Sequence, residues 1–290
     1  MTVSPQPDRD GLANPAMLNG HTRLIAHIGY PTTTFRSPTI YNPWFERHGI
    51  NAAVVPLGVT AENFPRAFPE ICRLSNFHGA LITMPHKASV IALLDDVSTA
   101  VRIAGSCNAV RRSDDGRLAG DTFDGEGFVR AAARRGQTIR GKSLLVVGAG
   151  GVGSAIAASS AAAGAAEITL HDLDINAASA LAGRLREHYP RLRITVGSNH
   201  PGEFDIVVNA TPLGTHADDP LPLDAARLSP SAYVADVVMG NTTTPLLEAA
   251  EARGCRTQPG IDMLFEQIPA YLAFFGFPPA SADELRRGSG

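Results

Sequence analysis

Three glycines and one carboxylate carry the first chemical signal in this chain. Gly148, Gly150 and Gly153 stand in a G-x-G-x-x-G spacing directly after the apolar run Leu144 to Val147 and before the small-residue segment Ser154 to Ala163. A buried parallel strand that feeds a helix through such a turn can hold a pyrophosphate. One glycine allows the tight turn, one lets the phosphates approach the backbone, and one lets helix and strand pack closely. The unpaired N–H groups and positive dipole end of the helix supply the attraction. A second strand, Glu167 to Leu170, ends in His171-Asp172, about 20 residues after the glycines, where dinucleotide-binding folds place a ribose-binding acid. A carboxylate there accepts bonds from the 2′- and 3′-hydroxyls of NAD and repels the extra phosphate of NADP; the other reading of Asp172 is a loop acid or helix cap. Because the first arginine downstream is Arg184, NAD is expected, with NADP as the second choice.

The elements that must position such a site are consistent with the composition. At 290 residues and 44% hydrophobic the chain can bury a substantial core, and the mid-chain glycine motif favours two domains. The net charge of −3, with no basic run beyond pairs such as Arg134-Arg135, gives no footprint for nucleic acid. Three scattered cysteines, Cys72, Cys107 and Cys255, and nine histidines without a ligand spacing predict neither disulfides nor a metal site. The first twenty residues are polar, and nowhere do 18 apolar residues follow one another. The expectation is a soluble cytoplasmic protein with no membrane partner and residues 1–20 as a loose tail.

Strands are predicted at Leu24 to Ile28, Ala52 to Leu57 and Phe77 onward, with helices from Pro38, capped by Ser37, over Phe64 to Leu74, and over Ala88 to Leu94. A hairpin turn follows at Asp114-Asp115-Gly116, and a bridging helix opens at Asp124-Gly125 and runs through Arg135. Further strands are predicted at Ile194 to Val196, Asp205 to Asn209 and Val234 to Val238. The helix from Gly260 to Phe275 has apolar positions that fold it back onto the first part of the chain. Alternating strands and helices predict the α/β class with parallel or mostly parallel sheets.

Taken together, Gly29 with Ser37-Pro38, Thr83-Met84-Pro85-His86-Lys87, Ala104-Gly105-Ser106-Cys107-Asn108, Gly120-Asp121-Thr122-Phe123-Asp124-Gly125, Gly148-Ala149-Gly150-Gly151, Asn209-Ala210-Thr211-Pro212-Leu213-Gly214, and Gly260 with Gln267 resemble the shikimate and quinate dehydrogenase family. The likeness runs from Leu24 to Phe277. It implies a substrate domain over residues 21–125, completed by 258–290, and a Rossmann domain over 126–257. It also implies hydride exchange between NAD(P) and a small hydroxy acid, in a monomer or homodimer. By this resemblance Lys87 and Asp124 form the catalytic pair, Ser37, Thr83, Asn108, Gln267 and the position of Phe35 face substrate, and Gly148, Ala149, Gly150, Gly151, Val152, Asp172, Val237 and Gly260 face the cofactor. From the residues alone, Lys87 also reads as a solvated helix-start lysine and Asp124 as an N-cap.

Departures from the family pattern bear on the substrate. Its Ser-x-Ser pair, which holds the substrate carboxylate, is Phe35-Arg36-Ser37 here, and its polar positions at 81, 123 and 239 are Leu81, Phe123 and Met239. Unpaired polar groups on a buried ligand cost about 1–3 kcal/mol each, so shikimate is expected to bind poorly unless Arg36 or one of Thr32 to Thr34 takes over its carboxylate. The rival readings are a family-derived dinucleotide-binding protein without catalysis and a folate-type dehydrogenase.

Overall fold

The computed structural model describes residues 18–216, 218–239 and 243–288, so the expected tail lies almost wholly outside the described residues. The first sheet is built from β1 (Arg23–Gly29), β2 (Ala52–Gly58), β3 (Phe77–Ile82), β4 (Asp96–Val97), β5 (Ala109–Arg112) and β6 (Leu118–Asp121), in the order β2-β1-β3-β5-β6-β4. β1 is parallel to β2 and β3, β4 is parallel to β6, and only β5 runs against its neighbours. One consequence matters for chemistry. The start of β5 shares an edge with the ends of β1, β3 and β6, so the loops after Gly29, Ile82 and Asp121 and the residue Asn108 all converge there.

The two faces of this sheet are covered separately, as continuous apolar strands require. α2 (Phe64–Cys72) buries Phe64, Phe68 and Cys72 against Ala26, Ile28, Ala80 and Ile82. On the other face, α1 (Ser37–Arg47) and α8 (Gly260–Phe274) bury Tyr41, Trp44, Phe45, Phe265, Ile268, Tyr271 and Leu272 against Ile25 and Leu81. Each large apolar side chain enclosed this way contributes about 1.5–3 kcal/mol. The C-terminal end of α8 is also clasped by two guanidinium groups and an imidazole. Arg23 and Arg111 lie 4.6 and 5.4 Å from the centres of the Phe277 and Phe274 rings, and His78 Nε2 lies 2.7 Å from the Phe275 carbonyl oxygen. The expected return of this helix to the first part of the chain is therefore observed.

The second sheet comprises β7 (Ser143–Val147), β8 (Glu167–His171), β9 (Arg193–Val196), β10 (Ile206–Asn209), β11 (Tyr233–Asp236) and β12 (Arg256–Gln258), ordered β12-β11-β10-β7-β8-β9, with every pairing parallel. It carries α5 (Gly151–Ala162), α6 (Ile175–His188) and α7 (Pro245–Ala252). Strand order reverses between β7 and β10, the place where doubly wound sheets bind ligands.

α4 (Asp124–Arg134) joins the two halves and is pressed on both sides. A Cβ on Gly125 would lie 2.0 Å from the Ala155 carbonyl oxygen of α5, and one on Gly127 would lie 2.7 Å from the Met263 carbonyl oxygen of α8. Only glycine fits at either crossing.

Several local expectations are corrected. α1 begins at Ser37 itself; Arg36 occupies the N-cap and Ser37 caps nothing. The helix expected over Ala88 to Leu94 is a 3₁₀ turn, Ser89–Leu93. The α5 helix starts three residues before Ser154, and β11 stops two residues before Val238. β4, β12, α3 (Thr99–Ala104) and α9 (Ala282–Arg287) are too short for periodicity to reveal.

The crossing at Gly125 predicts that Gly125→Ala forces α4 and α5 apart and destabilises the protein by about 1–3 kcal/mol. Chemical denaturation would read this as a lower midpoint, and an unchanged midpoint would rule out so close an approach.

Candidate active site

The glycine loop has the geometry its spacing predicts. Gly148 has φ +103° and its Cβ would lie 2.8 Å from the Ala210 carbonyl group, while a Cβ on Gly153 would lie 1.9 Å from the Gly148 carbonyl oxygen. A Cβ on Gly150 would meet nothing within 4 Å, so this stretch of backbone is open to a ligand. Gly150 is the N-cap of α5, no side chain caps that helix, and Gly151 and Val152 begin it. Asp172, just past β8, accepts a hydrogen bond from the Ala149 amide at 2.6 Å and another from the Asp174 amide at 2.8 Å. The helix-capping role falls instead to Asp174, which accepts from the Asn176 amide at 3.0 Å. Val237 and Gly260 also meet here: the Val237 amide donates to the Asn209 carbonyl, and a Cβ on Gly260 would lie 2.7 Å from the Val237 carbonyl oxygen. These residues fit a dinucleotide, with an open helix N-terminus for the pyrophosphate and a carboxylate at the ribose position.

Across from the loop, Lys87 Nζ donates to Asp124 Oδ2 at 2.5 Å, with side chains 15% and 6% exposed. Lys87 is fixed from below by its neighbour. His86 is buried, stacks on Phe64 at 3.9 Å and places Nε2 2.7 Å from the Val59 carbonyl oxygen, while the Cys107 amide donates to the Lys87 carbonyl at 2.8 Å. Asp124 stands in the first turn of α4 rather than at its cap, which is Phe123. Its carboxylate is used on lysine and not on the helix. The Lys87 stem also borders the cofactor loop, since a Cβ on Gly151 would lie 3.5 Å from Lys87 Cδ. A cavity of about 480 Å³ opens between the halves, lined by Lys87, Ser106, Gly150, Gly151, Val152 and Arg184 among others. Two further cavities, beside Arg23 and Arg112 and beside His200 and Glu203, include none of the expected site residues.

Asn108 and Gln267 are both buried in the first half of the molecule. Asn108 Oδ1 accepts from the Phe123 amide at 3.0 Å, but its Nδ2 has no partner, and neither has Gln267 Oε1. The Thr122 hydroxyl is likewise enclosed and unpaired. Buried polar atoms are rarely left so. Thr83 lies against Gly29, 2.3 Å from where its Cβ would stand. Ser37 is half-buried at the start of α1 and its hydroxyl makes no hydrogen bond among the described residues.

The four departures are all visible. Leu81 and Phe123 are buried, the latter edge-on to Tyr271 and Phe274, and Met239 is exposed. Phe35 stacks on His27 with ring centres 4.0 Å apart, and its tip also lies over Gly29. His27 and Tyr271 were not among the residues singled out in the sequence. One sits inside an apolar strand and the other inside an apolar helix, where each reads as core. Burial holds the His27 imidazole well below its usual range, at about 4, with the Lys87 charge adding to the effect. Burial also raises the Tyr271 phenol, and the Asp124 carboxylate adds to that rise.

A doubly wound sheet with an open glycine loop, facing a second sheet whose edge holds a buried Lys–Asp pair, is the architecture of a two-domain nucleotide-binding protein of the Rossmann type. The family model described as the shikimate dehydrogenase substrate binding domain matches residues 27–110. A shikimate dehydrogenase (NADP(+)) from Acidiphilium cryptum is 38% identical over 274 residues, covering 93% of this chain and 97% of its own. Among solved structures, a shikimate 5-dehydrogenase from Listeria monocytogenes in complex with shikimate and NAD is 28% identical with a TM-score of 0.85, covering 93% of this chain and 97% of that one. The 5-ketofructose reductase of Gluconobacter sp. strain CHM43 is 25% identical with a TM-score of 0.82, covering 93% and 99%. The chain belongs to the shikimate/quinate dehydrogenase family. Its activity class is accordingly that of a CH–OH dehydrogenase using a nicotinamide dinucleotide. Among the described residues no helix is long and apolar enough to cross a membrane, and no cluster of side chains could hold a metal ion.

The depressed His27 has a definite sign. Between about pH 4 and 6.5 the unfolded chain binds a proton that the folded one does not, so this group's contribution to stability is intact above 6.5 and is lost as pH falls toward 4. The full loss is about 3 kcal/mol. Denaturation curves across this range should therefore be flatter with pH for His27→Phe than for the parent, and parallel curves would show that His27 does not titrate as its burial requires.

Proposed function

We propose that this protein interconverts a secondary alcohol and a ketone on a small cyclic hydroxy acid, shikimate, quinate or a less polar relative, with Lys87 as acid and base and Asp124 as its orienting partner. The observation that carries the reading is the buried 2.5 Å contact between Lys87 Nζ and Asp124 Oδ2 beside the first residue of α5. The nicotinamide, when bound, takes up or supplies the hydride. As a ketone is reduced, negative charge develops on its oxygen, and an ammonium held at that oxygen can give up a proton from Nζ. In the oxidation direction the same nitrogen, once neutral, takes the hydroxyl proton. The Asp124 carboxylate holds Nζ to one position. Asn108 Nδ2 and Gln267 Oε1, a free donor and a free acceptor, suit ring hydroxyls, and Ser37 and Thr83 are the other two hydroxyl contacts in this reading. Relatives of this fold are named for shikimate and for 5-ketofructose, so the fold itself does not fix the substrate.

NAD is the preferred coenzyme in this reading, although the Acidiphilium relative is named for NADP(+). Two carboxylates, Asp172 and Asp174, stand at the end of β8 where a 2′-phosphate would be placed. Arg184, the first arginine downstream, is anchored on the Ile103 and Ala104 carbonyls at 2.6 and 3.3 Å.

Lys87→Ala is expected to lower kcat by about 10²–10⁴-fold while NADH still binds, read by NADH formation with a panel of cyclic hydroxy acids and by a fluorescence titration. Unchanged turnover would remove Lys87 from the chemistry. For the coenzyme, kcat/KM with NAD should exceed that with NADP by about tenfold or more, and Asp172→Ser should shrink the ratio by about the same factor, one tenfold step being 1.4 kcal/mol. A parent enzyme that prefers NADP would refute the role given to Asp172.

A further inference from the structure

Within reach of the Lys87 charge, beside the cavity lined by Lys87 and the glycine loop, lies an aromatic wall. It is formed by His27 on β1 and Phe35 in the loop that follows, with Leu81 beside His27 on β3 and Phe123 before α4. Four features of this wall point the same way.

First, the Phe35 ring lies flat on the imidazole at 4.0 Å and 22°, with its tip 2.9 Å from where a Gly29 Cβ would stand. It therefore occupies the space at the strand ends beside Thr83. Second, neither nitrogen of His27 has a hydrogen-bond partner among the described residues, and Nδ1 is wholly enclosed; the residue is 7% exposed. Such a nitrogen is unfavourable until a partner reaches it. Third, the imidazole is neutral near pH 7, because burial and the nearby Lys87 ammonium both oppose its charging. Fourth, the Lys87 charge is already matched by Asp124, and the unpaired polar atoms nearby, Asn108 Nδ2, Gln267 Oε1 and the hydroxyls of Thr122 and Ser106, are all uncharged. A carboxylate directed at this wall would meet the electron-rich face of a phenyl ring and an uncharged imidazole. A hydroxyl would meet a ring nitrogen that lacks a partner, and the C–H groups of a saturated ring would meet an aromatic face.

We infer that His27 and Phe35 form a subsite for an uncharged, hydroxyl-bearing end of the substrate, so that of the candidates above this dehydrogenase selects the less polar relative, a neutral polyol or hydroxyketone, over shikimate and quinate themselves. The inference rests on the dehydrogenase reading above for the reaction itself, but its claim concerns binding selectivity and can be tested apart from turnover.

The test compares shikimate with the analogue in which hydroxymethyl replaces the carboxylate, using the full chain with NAD and with NADP. Oxidation is followed by reduced-coenzyme absorbance, and equilibrium binding by calorimetry in the presence of NADH. The expected result is a kcat/KM and an affinity at least about tenfold higher for the hydroxymethyl compound, a difference within what one buried polar contact supplies. His27→Phe, which keeps the stack and removes the nitrogens, should bring that ratio close to one through KM rather than kcat, and His27→Asn, which restores a donor and an acceptor, should recover part of it. Phe35→Ser should move the preference toward shikimate by about tenfold. If the parent prefers shikimate, if neither compound binds, or if His27→Phe leaves the ratio where it was, the inference fails. If the hydroxymethyl compound binds selectively but is not oxidised, the subsite stands and the assignment of Lys87 and Asp124 falls.

Discussion

A buried ammonium–carboxylate pair is the interaction the rest of this fold is arranged to hold. Removing two such ions from water is costly, and either one alone would be costlier still. Lys87 and Asp124 can be enclosed only if two stretches of chain, 37 residues apart, arrive at one point with little freedom to part. The first sheet achieves this through the direction of β5. Running against β3 and β6, it starts at the edge where those strands finish, so Asn108 and the Asp121–Asp124 turn come level with the loop after β3. Asn108 then ties that turn down by accepting from the Phe123 amide, and the buried His86 anchors the other arm. Because the pair neutralises itself, its surroundings can be aromatic and aliphatic without leaving an uncompensated charge.

The same point is tied to the dinucleotide half by close packing. α4, which carries Asp124, touches α5 at Gly125 and α8 at Gly127, at distances no other residue allows. A second tie runs through Arg184 on α6. Burial opposes its charge, and it is held by the carbonyls at the C-terminal end of α3, a favourable place for a cation. α3 leads directly to Ser106, against Gly151, and to Cys107, whose amide is bonded to the Lys87 carbonyl. Helix α6 itself begins just after Asp172 and Asp174. A continuous set of contacts therefore joins the end of β8, beside Asp172, to the backbone of Lys87.

Much of this was legible in the residues. Long apolar strands and glycine turns state their geometry locally, which is why β1, β3, β7 and the loop from Gly148 to Gly153 were readable with their neighbours. The returning helix α8 showed itself through its apolar stripe. What could not be read depends on tertiary placement. His27 is one polar residue in an apolar strand, and only the fold reveals that it stacks on Phe35 and lies near enough to feel the charge of Lys87. Ser37 beside Pro38 looks like a helix cap, yet the helix starts one residue early and its hydroxyl is left unused. Asp124 looks like a cap as well, but a buried lysine outbids a backbone amide for its carboxylate. Two-residue β4 and three-residue β12 are strands only because a neighbour pairs with them.

The aromatic replacements show how pocket polarity and fold stability are joined. Phe123 sits edge-on to Tyr271 and Phe274, and Tyr271 stacks in turn with Phe275. Phe123 is thus part of the cluster that docks α8 onto the first sheet. Such ring pairs add about 0.5–1.5 kcal/mol beyond the area they bury. Polarity at position 123 would loosen the helix that carries Gln267, whereas polarity at position 35, in a loop and only half-buried, would cost the core little. The two positions therefore differ in what constrains them: Phe123 is held by the packing of α8, while Phe35 answers only to the His27 ring and to Gly29.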